Sequence, residues 1–278
     1  MRNEQNQASA RPLAAARRAD IAEVLRRNGS VTVAELERLY GISSMTARRD
    51  LAELERQGLA RRTHGGAVLP DIAAHEDSFA KRLETANEAK EALAEAALAM
   101  ITPQETIFLD SSTTTYFLAR RIVEEGIELT VITNSLPVME LVAGAPTPGV
   151  ELIGVGGALR RLTRSYVGPL AVSAVRSYYA DRVFVSVKGV TPDGALTDAD
   201  SLEAEVKRQM IAQAAESVLL LDATKLAVRG LTAIAKLDGL SAVLTHGVTD
   251  KQLAALREHN TEVKAVERGP RNGRGGRT

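Results

Sequence analysis

The sequence predicts an α/β protein in two parts: a small helical unit at the N-terminus and a larger unit built on a mainly parallel sheet. Three observations carry that expectation. Through residues 13–70 apolar side chains recur at helical spacing between turn signals. Beyond residue 103, short β-branched runs alternate with helical stretches. The charge divides in the same way: residues 1–70 hold 12 Arg against 8 acids, residues 71–267 hold 19 bases against 27 acids, and residues 268–278 hold 4 Arg and no acid. A net charge of zero thus conceals a basic head on an acidic body, the distribution expected where one part meets a polyanion.

Composition removes several classes. A chain of 278 residues has ample length for two domains, and the absence of Cys excludes disulfides and Cys-ligated zinc fingers. No window of about 18 apolar residues is free of charge, and MRNEQNQASARPLAAARRAD lacks the apolar core of a signal peptide. A cytoplasmic protein without membrane contact is therefore expected. Aromatic residues make up only 3%, which disfavours a surface of stacked rings for single-stranded RNA. Residues 1–12 and the tail RGPRNGRGGRT, the latter rich in Gly and Arg with nothing to bury, are expected to be disordered.

The N-terminal elements follow in order. In LAAARRADIAEVLRR, the residues Ala14, Ile21, Val24 and Leu25 stand at helix-compatible spacing, and Asn28-Gly29 stops this first helix. Thr32 precedes Glu35 by three residues, a capping box, and Leu36, Leu39 and Tyr40 form an apolar stripe that Gly41 ends. After the GIS turn, Ser43 caps a third helix, SMTARRDLAELERQ, whose Ala47, Leu51 and Leu54 share one face before Gly58. LARRTHGGAV reads as two short strands around a Gly pair. Helix, helix, tight turn, helix and wing is the layout of a winged helix-turn-helix over residues 13–70, which places its third helix in the major groove of DNA.

Counting about 100° per residue from Ala47 sets Met45, Arg49, Ala52 and Arg56 opposite the core, with Thr46 and Arg48 beside them. Thr46 and Arg49 are candidates for base contacts, and Arg48, Arg56, Arg61 and Arg62 for phosphate contacts. Ser44 and His64 complete the candidate DNA-binding set. The run GISSMTARRDLAELERQGLARRTHGGAV resembles the N-terminal motif of the DeoR family of bacterial transcriptional regulators, with Ile42 for the usual Val and Ala47 for the usual Ile.

Residues 71–102, Ala- and Glu-rich from about residue 76, predict a linker helix closed by Pro103. Over residues 103–267 the segments TIFLD, TYFLARRIVEEG, LTVITN, LPVMELVA, VELIGV, DRVFVSV, EAEVKRQMIAQAAE, SVLLLD and SAVLTH alternate as strands and helices of an α/β domain. Three strand ends in succession are polar. TIFLD runs into five hydroxyl residues, Ser111 to Thr115, at a helix start, where free amides favour a phosphate. The next strand ends in Thr133-Asn134-Ser135, and the third in Gly154 to Gly157 with Arg160 three residues on. Carboxyl ends of parallel strands are where such sheets bind ligands.

This stretch resembles the C-terminal sensor domain of the DeoR family, through IFLDSSTTTYFLA, TVITNSL, GGALRRLTRSYVGPLA, EAEVKRQMI and LLLDATK. The resemblance implies a fold similar to ribose phosphate isomerases and a site for a phosphorylated sugar lined by Asp110, Ser112, Thr113, Thr114, Asn134, Gly157, Lys207, Lys90 and Arg82. Ser112 replaces a Gly of the family pattern, Ala223 replaces a Ser, and SVKG stands for G-A-N-G. Lys188 in that loop either adds charge beside an anionic ligand or reaches to solvent.

The alternative is a sugar-phosphate isomerase or transferase, but no carboxylate stands in SVKG, where related isomerases place an acid. Metal binding is not expected from four scattered His residues, nor a nicotinamide cofactor from a Gly cluster with Leu159 at the third Gly position. No cofactor is expected beyond the effector. The expectation is a regulator, most simply a repressor of a carbohydrate operon, that binds operator DNA as a homodimer or homotetramer and responds to a sugar phosphate.

Overall fold

A computed structural model describes residues 14–28, 30–57, 59–63, 65–68, 77–146, 149–260 and 262–267. The expected disordered ends and residues 71–76 of the expected linker helix lie outside the described residues. The chain divides into two compact units, residues 1–76 and 77–278.

The first unit runs α1 (Ala14–Asn28), β1 (Ser30–Thr32), α2 (Val33–Tyr40), α3 (Ser44–Arg56), β2 (Arg61–Thr63) and β3 (Gly66–Val68). The capping box closes in both directions: the Glu35 amide donates to Thr32 Oγ1 at 3.1 Å and the Thr32 amide to Glu35 Oε2 at 2.8 Å. Strands order as β1-β3-β2, all antiparallel. The sequence reading missed β1, since three residues between a turn and a helix cap carry no period. Gly66 is what admits it: a Cβ there would stand 2.0 Å from the Val31 carbonyl oxygen. The core joins Ile21, Leu25, Val31, Leu36, Ala47, Leu51, Leu54 and Ala67.

Two expected core positions are exposed. Leu39 is 58% exposed, while Tyr40 packs on the core as expected and Val33 takes the place expected for Leu39. On a helix Val33 and Tyr40 lie about 60° and about 40° to one side of Leu36, whereas Leu39 lies about 60° to the other. Ala14 is also exposed, because burial along that face of α1 begins at Arg17.

The second unit runs α4 (Phe79–Leu83), α5 (Asn87–Leu98), β4 (Thr106–Leu109), α6 (Thr113–Glu125), β5 (Leu129–Thr133), α7 (Leu136–Ala143), β6 (Val150–Gly154), β7 (Ala158–Arg160), β8 (Ser165–Val167), α8 (Pro169–Arg176), β9 (Ala180–Val185), β10 (Gly189–Val190), β11 (Ala195–Asp198), α9 (Ser201–Ala212), β12 (Ala214–Asp222), β13 (Thr232–Lys236), β14 (Ala242–His246), α10 (Asp250–His259) and β15 (Val263–Ala265). Seven parallel strands order as β15-β14-β12-β9-β4-β5-β6. Both faces of this sheet are covered. Ile107 and Leu109 of β4, with Val218 and Leu220 of β12, join one core with α5 and α6; Phe108, Leu219 and Leu221 join the other with α8 and α9. The chain builds outward from β4 to β6, returns to lay β9 against β4, and builds outward the other way. The order reverses between β4 and β9, so a crevice opens at their carboxyl ends.

The expected linker helix is two helices. Ala86, at a left-handed φ of 50°, separates α4 from α5, and Ser78 Oγ caps α4 by accepting from the Lys81 amide at 3.3 Å. α5 buries Ala89, Lys90, Ala92, Leu93, Ala94 and Ala97, so it is part of the core of the second unit. An Ala-rich period reads the same for a helix spanning units and for one lying on a sheet. Also missed were the β7–β8 hairpin and the antiparallel sheet β10-β11-β13, whose strands of two to five residues are too short to show alternation. Among the described residues no helix is long and apolar enough to cross a membrane.

Candidate functional site

On α3, Ala47, Leu51 and Leu54 point inward, leaving Ser44, Met45, Arg48 and Arg49 exposed on the outer face. Thr46 is half-buried, its hydroxyl 3.0 Å from Ser43 Oγ, where it serves the cap. Arg56 is exposed but tied to Glu53 through Nε–Oε2 at 2.9 Å and Nη2–Oε1 at 2.5 Å, a surface pair that a stronger anion can displace. Arg61 and Arg62 are exposed on β2, and the Arg62 amide donates to Glu55 Oε1 at 2.8 Å, which fixes the wing against α3. His64 lies outside the described residues. Sequence reasoning missed Asp50, 2% exposed, whose Oδ2 accepts from Arg17 Nε at 2.7 Å. This buried pair locks α3 to α1, and its signal was a carboxylate three residues after Ala47 on the apolar face.

In the second unit the crevice between β4 and β9 is organised by Asp110, fully buried at the end of β4. Its Oδ1 accepts from the Ser112 amide at 3.0 Å and Thr115 Oγ1 at 2.7 Å, and its Oδ2 from the Ser186 amide beyond β9 at 3.0 Å. Lys207, reaching over from α9, lies 3.3 Å from Asp110, donates to the Ser186 carbonyl at 2.7 Å and to Asp198 Oδ2 at 2.6 Å. Burial disfavours the Lys207 charge, but Asp198 and Asp110 outweigh it and hold the ammonium firmly protonated. Burial likewise opposes the Asp198 carboxylate, and the Lys207 charge and hydrogen bond hold it below its ordinary range. Asp110 and Lys207, expected as ligand contacts, therefore spend their hydrogen bonds on the protein and brace the crevice wall.

Ser112 caps α6, accepting from the Thr115 amide at 3.1 Å, so the first-turn amides of Thr113 and Thr114 have no acceptor within the helix. At the end of β5 the Asn134 amide group donates to the Tyr166 carbonyl at 2.9 Å, while among the described residues Asn134 Oδ1 and Ser135 Oγ are buried without a hydrogen-bond partner. Gly157, at φ 154°, is a packing residue: a Cβ would stand 2.8 Å from the Val167 carbonyl oxygen. Glu203, on α9, was missed. Its carboxylate accepts from Ser111 Oγ at 2.8 Å, Thr163 Oγ1 at 2.6 Å and Ser165 Oγ, tying the β7–β8 hairpin to the β4–α6 turn. Burial and the Asp198 charge raise its pKa against the pull of Lys207 and the hydroxyls.

A second group of cations gathers near Asp222. Lys90 is 5% exposed, with Nζ donating to the carbonyls of Arg82 and Thr85, and burial and then the Lys225 charge push its pKa down to about 8, Asp222 opposing. Lys225, just beyond β12, is also lowered: by burial first, then, against the pull of Asp222, by the charges of Lys188, Arg82 and Lys207. Lys188 thus faces this group. Arg82 Nε and Nη2 are buried and have no hydrogen-bond partner among the described residues. Lys225 escaped sequence reasoning although it stands at a polar strand end, LLLDATK, of the kind that marked β4 and β5. Among the described residues no cluster of His, Asp or Glu could hold a metal ion.

An exposed basic recognition helix in one unit and a cation-lined strand-end crevice in the other agree with the family models that match this chain. A DeoR-like helix-turn-helix domain covers residues 17–73 and a DeoR C-terminal sensor domain covers residues 85–247. The chain belongs to the DeoR family of transcriptional regulators. It is 32% identical over 256 residues to the HTH-type regulator YulB of Bacillus subtilis, covering 91% of this chain and 97% of that one. It is 32% identical to a putative aga operon transcriptional repressor of Escherichia coli O157:H7 (90% and 93% covered), and 33% identical to the L-fucose operon activator of Escherichia coli K12 (87% and 97%). Ribose 5-phosphate isomerase A from Methanocaldococcus jannaschii aligns with a TM-score of 0.37 at 18% identity, over 50% of this chain and 54% of its own. These DeoR-family relatives are named as regulators of transcription, and this chain is a DNA-binding regulator.

Proposed function

We propose that this DeoR-family protein represses a carbohydrate operon as a homodimer or homotetramer and that a phosphorylated sugar, bound in the crevice between β4 and β9, lowers its affinity for operator DNA. The observation that carries this reading is the cation group Arg82, Lys90, Lys188 and Lys225: Lys90 and Lys225 are pushed toward neutrality with Asp222 beside them, a state that a phosphate dianion relieves. The first-turn amides of α6 supply further donors for that phosphate. Asn134 Oδ1 and Ser135 Oγ, buried without partners among the described residues, suit the hydroxyls of the sugar. In the first unit Arg49 reads a base edge while Arg48, Arg61 and Arg62 hold phosphates.

The test is operator binding at fixed salt, using DNA from the protein's own promoter and neighbouring operon, titrated with sugar phosphates and with the same sugars unphosphorylated. Release by one phosphorylated compound and not by its free sugar is expected. Release by the free sugar, or by no phosphorylated compound, overturns the reading.

A further inference from the structure

The crevice and the start of the second unit share one short element. α4 has five residues, too few to hold a helix by itself, and in chain order it is the first element after the DNA-binding unit. Leu83 packs against the core of the unit, and three further contacts anchor the helix. The Phe79 ring, 3% exposed, meets Tyr116 edge-on at 5.6 Å and 89°. The Phe79 amide donates to the Leu162 carbonyl at 2.8 Å, in the β7–β8 hairpin. At the other end Lys90 Nζ holds the carbonyls of Arg82 and Thr85, and Ala86 then breaks the chain into α5 through its left-handed φ. Lys90 and Arg82 thus belong both to the proposed anion site and to the fastening of α4, and Arg82 Nε and Nη2 are buried without a hydrogen-bond partner among the described residues.

We infer that α4 is the output element of the sensor, a reading that rests on the proposed phosphate site. An anion entering the crevice gives Arg82 Nε and Nη2 a hydrogen-bond partner and competes for Lys90 with the carbonyls of Arg82, in α4, and Thr85, in the turn after it. Occupied and empty crevices therefore favour different placements of α4, and that difference is what the ligand's binding energy works on. α4 is in chain order the first element of the second unit, so a change in its placement is the change in that unit nearest in sequence to the DNA-binding unit. Arg82 is the lever, Lys90 the latch and Phe79 the anchor, and Phe79 stands outside the proposed ligand contacts.

The experiment uses the full chain with glucose 6-phosphate, fructose 6-phosphate and inorganic phosphate as probes. Binding is followed by calorimetry, operator affinity by fluorescence anisotropy, and backbone opening by amide hydrogen exchange. In the wild type, a bound probe is expected to slow exchange across residues 79–86 and to weaken operator binding at least ~10-fold. Phe79→Leu, which keeps an apolar side chain, is expected to bind the same probe within ~3-fold of wild type yet to lose most of the operator response. A six-residue Gly/Ser insertion between Ala73 and Ala74, in the stretch of chain between β3 and α4, is expected to do the same. If the probe protects Thr113 to Thr115 but leaves residues 79–86 unchanged, or if both variants keep the full operator response, the output role of α4 is refuted while the phosphate site stands. If no probe alters exchange anywhere in the crevice, the phosphate site fails and this inference with it.

Discussion

The protein uses the same side-chain chemistry in two places with opposite physics. On α3, Arg48 and Arg49 sit in water beside no core, where charges are screened and cost nothing to solvate. In the crevice, Lys90 and Lys207 are 5% and 6% exposed, and each charge survives only through what surrounds it: two carboxylates for Lys207, carbonyls and one carboxylate for Lys90. Exposed cations meet a polyanion of any sequence and select only through a bidentate geometry. Buried cations select by charge, since a ligand must repay desolvation with a matching charge in a fixed place. Under the proposed function the head supplies bulk attraction and the body chemical discrimination, and removing a cation should therefore cost stability in one region and recognition in the other.

The largest effect is expected at Lys207. Lys207→Met leaves Asp110 and Asp198 facing each other without their shared cation, and breaking a buried pair in this way costs ~3–5 kcal/mol. Calorimetry should show the sensor transition lowered by about 10 °C or more, with the helix-turn-helix signal in circular dichroism retained. An unchanged transition would mean that the hub is not ionic and that the contrast between regions is false.

Arg49→Ala is expected to leave the melting temperature within about 1 °C, because surface changes are near neutral, and to weaken operator binding by ~1–3 kcal/mol while nonspecific binding falls much less. Arg61→Ala should weaken both alike and reduce the salt slope by about one. Anisotropy titrations on operator and scrambled DNA across a salt series measure all three quantities; equal losses from both variants would remove the distinction between base reading and phosphate clamping.

The two regions also differed in how much the sequence disclosed. The head is built from local spacings: Thr32 to Glu35, Ala47 to Leu51 and Leu54, and the Gly65-Gly66 pair all act within a few residues, so a helical count places them. Leu39 was misplaced because a stripe of apolar residues tells which half of a helix is buried but not its centre. In the body the polar ends of β4 and β5 were legible as hydroxyl and amide residues after apolar runs. Their meeting with Ser186, Asp198 and Lys207 was not, since it depends on β9 returning beside β4, and strand order leaves no local trace. Glu203 was masked by its position three residues after Asp200, where an acid reads as ordinary capping; Asp200 Oδ1 does accept from the Leu202 and Glu203 amides at 2.9 and 3.2 Å.

A smaller effect distinguishes the crevice by its pH response. Lys90 titrates near pH 8, and an anionic ligand favours its charged form, so binding at pH 8 should take up a fraction of a proton. Affinity for the phosphorylated effector should fall by up to roughly 10-fold from pH 7 to 9 as Lys90 loses its proton, while operator affinity, resting on Arg, stays flat. Calorimetry in buffers of differing ionisation enthalpy reads the proton uptake directly. A flat effector affinity over that range would place the anion elsewhere.

The smallest effect is expected at Glu203, and it separates burial from charge within the crevice itself. Because the folded pKa is raised, the ionised carboxylate is disfavoured by the fold, and any stabilising contribution is present in acid and lost as pH rises through the folded pKa. Glu203→Gln keeps an acceptor for Thr163 and Ser165, and the Ser111 hydroxyl can turn to accept from the new amide. At pH 7 the variant should match or exceed the wild-type stability by less than ~1 kcal/mol, with the difference vanishing toward pH 4. A melting temperature lowered by more than about 5 °C at pH 7 would show that three hydroxyl donors and the nearby Arg160, 3.9 Å from Oε1, make Glu203 an ionic keystone like Lys207. Burial would then no longer separate the charged centres that need a partner from those that hydroxyl groups alone can satisfy.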